Sequence, residues 1–179
     1  MTDSFDRWRD ATHSAWGPLT SQLVARARRE LEHLVRADPA EGWLAALHQD
    51  APASLELYRD PMHGFVLQAH REEEGIYRPP HDHGRSWVIY AVQRGEVEMG
   101  TYASMKGPDG QARLVKREST RLRPGRVQVY LPGDIHDTLC LKGPALLIRL
   151  TERDLRREKE EGRMLRYVEA DGGWAPAAA

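Results

Sequence analysis

Gly75-Ile-Tyr-Arg-Pro-Pro-His81-Asp-His83-Gly-Arg-Ser-Trp-Val-Ile-Tyr-Ala-Val-Gln-Arg-Gly95 is the stretch on which the fold reading turns. It holds a His-x-His pair, an apolar run from Trp87 to Val92 and a closing Arg-Gly turn. On a strand, the period of two sends both imidazoles to the same side of the sheet. A second block, Tyr130-Leu-Pro-Gly-Asp-Ile-His136, supplies a third imidazole, because its Pro-Gly turn ends one strand and presents a histidine at the start of the next. If those strands are neighbours in a barrel, three ring nitrogens converge and leave open positions for water, dioxygen or substrate.

The surroundings of both blocks read as β structure. Between Leu55 and Leu150 short segments rich in Val, Ile, Leu, Tyr and Thr alternate with Gly and Pro: 65–70, 86–93, 97–102, 113–118, 127–131, 138–141 and 145–150. Arg94-Gly95, Gly107-Pro108-Asp109-Gly110, Pro124-Gly125, Pro132-Gly133 and Gly143-Pro144 are the turn candidates. Evenly spaced short strands of this kind predict an antiparallel sandwich or barrel.

Ahead of them, Leu23, Val24, Ala27, Leu31, Leu34 and Val35 form a stripe at helical spacing, with Thr20 or Ser21 as cap. A shorter helix is expected over 40–48. After the strands, 151–167 is charged and helix-prone, and 172–179 reads as a frayed tail. The expected organisation is one globular domain, with an N-terminal helical extension over 1–52, a β-barrel over 53–151, and a C-terminal helix and tail over 152–179.

Composition narrows the chemistry. The 26 Lys+Arg balance 27 Asp+Glu, for a net charge of -1, so no phosphate-tracking surface is expected and nucleic acid is excluded as a partner. No apolar run approaches the ~20 residues of a membrane span. The N-terminal MTDSFDRWRD does not read as a secretory signal, which makes the cytoplasm the expected location. The single cysteine, Cys140, excludes an intrachain disulfide and a Cys-rich zinc cluster, so histidine and carboxylate must hold any metal. His13, His33 and His48 fall in the helical prefix, where a solvated role is the default. His63, in a turn before a strand, and His70, at a strand end, are candidates to stand behind the ligand rings, a role that position alone does not show.

Gly75, His81-Asp-His83 and Gly95 together resemble the first cupin motif, and Pro132-Gly133-Asp-Ile-His136 resembles the second. The resemblance covers 59–151 and implies a double-stranded β-helix, the cupin jelly-roll barrel. It also implies a metal, Fe(2+) or another divalent ion, on His81, His83 and His136. Many cupins add a glutamate ligand, but that position falls here on Val88 or Trp87. Three-histidine cupins without it are typical of thiol dioxygenases, and Pro80 to Trp87 is similar to the bacterial cysteine and 3-mercaptopropionate dioxygenase-like branch.

That likeness implies iron(II)-dependent oxidation of a small organic thiol to its sulfinate, with dioxygen as co-substrate. Members with acidic substrates hold the carboxylate with an arginine, and Arg59 and Arg149 are the candidates. Tyr90 and Trp87 are candidate pocket residues, alternation favouring Tyr90. Asp82, Asp134 and Asp137 are candidates to accept the free ring N–H of a ligand histidine. The tyrosine and histidine that assist dioxygen in the family fall on Thr151 and Arg149, and the crosslinking cysteine on Val88. Two other readings follow: an oxygenase of a β-diketone or other enolisable compound, and a non-catalytic small-molecule-binding cupin. A homodimer is compatible with all three.

Overall fold

The computed structural model describes residues 3–50, 52–107, 110, 112–170 and 173–177. Three helices come first: α1 (Ser4–Ala15), α2 (Ser21–Leu34) and α3 (Gly42–Asp50). Asp3 caps α1 by accepting the Asp6 N–H, and Thr20 caps α2 by accepting that of Leu23. The stripe read from sequence is the buried face of α2, with Leu23, Ala27, Leu31 and Leu34 inside.

Among the described residues nine strands follow, seven of them in the main sheet system: β1 (Ser54–Arg59), β2 (Val66–Glu72), β3 (Tyr77–His81), β4 (Val88–Lys106), β5 (Ala112–Leu122), β6 (Val127–Tyr130) and β7 (Ile135–Thr151). All their pairings are antiparallel. The long strands β4 and β7 serve two sheets. Their halves Val88–Val92 and Leu147–Thr151 pair with each other and with β6 and β2, while β1 adds beside β2. The other halves pair with β5 and β3. Two sheets made continuous through two shared strands form a double-stranded β-helix, a cupin-type jelly roll.

The shared strands correct the segmentation expected from sequence. Segments 86–93 and 97–102 are one strand, as are 138–141 and 145–150, because Arg94-Gly95 and Gly143-Pro144 are irregularities within strands and not hairpin turns. Gly95 has φ +81°, and a Cβ there would lie 2.5 Å from the Lys142 carbonyl oxygen, so only glycine lets the two chains bend against each other. Pro108 and Asp109, in the expected loop, lie outside the described residues.

The first sheet is buried on both faces, which is why 87–92 and 145–150 read as near-continuous apolar runs. Ile89, Ala91, Ile148 and Leu150 pack outward on Trp8, Leu31 and Leu44 of the helices. Val88, Tyr90, Val92 and Leu147 face inward and meet Val97, Met99 and Leu122.

The C-terminal section departs most from expectation. Its helix α4 covers only Leu155–Glu160, and the segment read as helix and frayed tail instead makes a hairpin, β8 (Tyr167–Ala170) with β9 (Gly173–Pro176). Tyr167 is buried with Tyr102, Leu114 and Ile135, and Trp174 packs against them. That apolar contact, invisible in a charged sequence window, holds the segment on the barrel. No helix among the described residues is long and apolar enough to cross a membrane.

Candidate metal centre

β3 and β7 place the first two imidazoles by register, since His81 and His136 are paired residues on neighbouring strands. His83 follows β3 in a tight loop and turns back inward. Gly84 makes that loop feasible: its φ is +62°, and a Cβ would sit 2.6 Å from a Glu158 carboxylate oxygen. Glu158 of α4 is fully buried and accepts from the Arg85 N–H at 3.1 Å and from the Arg163 guanidinium. The short C-terminal helix therefore fixes the loop that carries His83.

One ring nitrogen from each of His81, His83 and His136 lies within 4.8 Å of the others. The Nε2 atoms of His83 and His136 are 3.4 Å apart, close to the roughly 3.0–3.4 Å separation expected of two donors on one ion with bonds of about 2.0–2.1 Å. His81 Nδ1 lies 2.9 Å from the Pro79 carbonyl and His136 Nδ1 3.3 Å from that of Asp137. With those nitrogens donating, Nε2 of each ring is left as a lone pair facing inward. Burial pushes the pKa of His81 down, and those of His83 and His136 well down, the neighbouring His81 ring adding to the last two. The rings are thus neutral near pH 7, the form that ligates. Three neutral nitrogens sharing one focus fit a divalent cation.

Beside them lies a cavity of about 590 Å³ with His81, Tyr90, His70, Arg149, Arg78 and Arg166 in its wall. The Tyr90 hydroxyl is 3.3 Å from His83 Nε2. Tyr130, which the sequence reading did not single out, stacks on the His136 ring at 4.0 Å between centroids and fixes its plane. Arg149 lies over the Tyr90 ring, 5.9 Å from its centroid, and donates to Gln68 Oε1. Its Nε and the Nε2 of His70 are buried without a partner among the described residues. Burial, followed by the charges of Arg149 and Arg78, brings His70 down to about 3. Such stranded polar atoms leave unused hydrogen-bonding capacity in the cavity wall.

Other candidates lie elsewhere. Arg59 is ion-paired with Glu56 at 2.7 Å and Asp154 at 3.0 Å, outside the cavity wall, so it is a surface link and not an anchor. Trp87 is fully buried and stacks on Trp16 in the helix-side core, as the strand alternation requires. The three aspartates do not serve the ligand rings. Asp82 accepts the N–H groups of Gly84 and Leu165, Asp134 accepts that of Leu131, and Asp137 accepts from Gly100 N–H and the hydroxyls of Tyr77 and Tyr102. Backbone carbonyls take the orienting role for His81 and His136, while His83 Nδ1 is buried without a partner among the described residues. Val88, where many cupins have glutamate, is an apolar core residue. Thr151 is buried, with its hydroxyl toward the Val66 carbonyl.

No family model and no curated protein matches the sequence. Among solved structures, KdgF from Halomonas sp. is similar over 55% of this chain and 76% of its own, with 22% identity and a TM-score of 0.43. The Schizosaccharomyces pombe Cnp3 cupin domain is similar over 61% and 69%, with 14% identity and a TM-score of 0.44. A cupin superfamily protein from Desulfitobacterium hafniense DCB-2 is similar over 56% and 76%, with 16% identity and a TM-score of 0.42. Likenesses this distant bear on neither substrate nor chemistry.

Proposed function

We propose that the protein is an iron(II)-dependent dioxygenase that converts a small thiol bearing a carboxylate into its sulfinate. The observation that carries this is the pairing of a carboxylate-free, three-imidazole focus with the half-buried Arg149 guanidinium, which lines the cavity that His81 opens onto. Neutral ligands leave a divalent iron its full charge, which favours an anionic thiolate beside dioxygen and supplies the redox chemistry. His81, His83 and His136 would hold the ion.

Arg149 is the substrate anchor in this reading. Its Nε–H has no acceptor among the described residues, and a guanidinium pairs a carboxylate through two parallel hydrogen bonds. His70, held neutral, adds a second hydrogen-bonding atom on the same wall. Tyr90, with its hydroxyl beside His83 Nε2, is placed to donate a proton to a charged group bound between the rings. The expected partners are therefore a small anionic thiol and dioxygen.

Oxygen uptake by iron-loaded protein with 3-mercaptopropionate, cysteine and cysteamine tests the proposal. Uptake should be greatest with the carboxylate-bearing thiols, and no uptake with any thiol overturns it. The resemblance itself favours a second reading, an enolisable substrate, because it puts Thr151 and Arg149 where thiol dioxygenases carry their auxiliary tyrosine and histidine. Anaerobic titration separates the two, since either a thiol or a β-diketone perturbs the iron spectrum.

A further inference from the structure

A second group of potential ligands lies away from the barrel interior, where α1 meets the turn between β1 and β2. His13 occupies the last turn of α1, Asp60 follows β1, and His63 lies in the turn. One ligand atom from each is within 4.8 Å of the others, and the two imidazole centroids are 5.0 Å apart.

Asp60 is the fixed element. It is buried, and its Oδ1 accepts the N–H groups of Met62 at 3.0 Å and His63 at 2.7 Å. Its Oδ2 faces His13 Nδ1 at 2.7 Å and accepts from the Tyr58 hydroxyl at 3.2 Å. Burial alone would push its pKa up, but the His63 N–H, His13 and the remaining donors outweigh it and keep the carboxylate ionised. The histidines are the adjustable elements, His13 keeping 39% of its side chain exposed.

We propose that His13, Asp60 and His63 form a second metal site, for one zinc-like borderline divalent ion, distinct from the three-imidazole centre. In it the ion takes the place of the proton shared by His13 Nδ1 and Asp60 Oδ2. Two imidazoles, one carboxylate and a solvent molecule complete a four-coordinate shell, in the ligand types zinc prefers. Donors around such an ion are about 3.3 Å apart, so His13 and Asp60 separate slightly while His63 swings inward. The ion would pin α1 to the β1–β2 turn, adding its binding free energy to the docking of the helices.

The test is zinc binding by metal-free, full-length protein, with free zinc buffered in the micromolar range and bound metal counted after gel filtration. Wild type should retain two equivalents, His136→Ala one, and the His136→Ala/His63→Ala double variant none. Cobalt bound to the His136→Ala protein should give the visible bands of a four-coordinate site, abolished by His63→Gln, with the far-ultraviolet spectrum unchanged. Two equivalents retained by His63→Ala, or cobalt bands that survive His63→Gln, overturn the proposal.

Discussion

The two histidine clusters are built by opposite means. His81 and His136 are locked by strand register between two sheets, and the centre they form with His83 has no carboxylate among its three rings. His13, Asp60 and His63 meet where a helix docks on a turn, around one buried anion, with His13 and Asp60 47 positions apart in the chain. A neutral, enclosed set leaves a bound ion its charge for chemistry. A charged set at the surface neutralises part of that charge and suits a structural ion. Each prediction below breaks or sharpens that contrast.

The largest effect is expected from His136→Ala. Removing one of three ligands from the buried set should lower iron affinity by more than about 100-fold, beyond the usual cost of losing a group that merely orients a ligand. Iron retained after gel filtration should fall from about one equivalent to none, while the His13–Asp60–His63 cluster is untouched. Full iron retention would mean that the three rings are not the ion's ligands.

Next is Asp137→Leu, which tests whether the enclosed cluster depends on the strands that carry it. The Asp137 carboxylate accepts from the Gly100 N–H at 2.7 Å and from the Tyr102 hydroxyl, and Lys116 Nζ lies 3.6 Å away. Leucine strands those buried donors, so stability should fall by about 2–4 kcal/mol in urea denaturation. A loss below about 0.5 kcal/mol would mean that the barrel centre does not rely on this residue. The corresponding substitution His63→Ala, at the surface cluster, should cost metal-free protein much less.

The same contrast explains what the sequence disclosed. The buried centre leaves a local trace, because strand periodicity turns His-x-His and Pro-Gly-x-x-His into spatial statements. The amphipathic stripe of α2 is legible for a similar reason. Helix docking leaves no such trace, so His13 and His63 read as ordinary polar residues. Gly95 and Gly143-Pro144 misled because a bend within a strand and a turn between strands use the same residues. The hairpin at 167–176 was hidden in a charged window whose apolar anchors, Tyr167 and Trp174, are too few to set a period. Sequence proximity makes Asp82, Asp134 and Asp137 candidate partners of the rings, whereas in the fold their carboxylates accept from backbone and tyrosine donors.

Arg149→Ala probes the cavity rather than the ion. A charge-assisted hydrogen bond contributes about 1.5–3 kcal/mol, so KM for a carboxylate-bearing thiol should rise about 10- to 100-fold with iron content unchanged. Arg149→Lys should recover little of this, because an ammonium lacks the planar fork. Equal losses with cysteamine, which has no carboxylate, would remove Arg149 from substrate binding.

The smallest effect is a slope. His70 is lowered to about 3 in the folded protein, against about 6.5 in an unfolded chain. Above pH 6.5 neither state carries the proton, and His70 leaves stability independent of pH. As the pH falls below 6.5, the unfolded chain takes up a proton that the folded protein refuses, so stability drops by about 1 kcal/mol per pH unit. His70→Leu has nothing to titrate and should remove that share of the decline between pH 6.5 and 5 in urea titrations of metal-free protein, leaving the same-signed share of His81, His83 and His136. If the variant and wild type decline in parallel, His70 takes up its proton in the folded state and the cavity wall is more open to water than its burial implies.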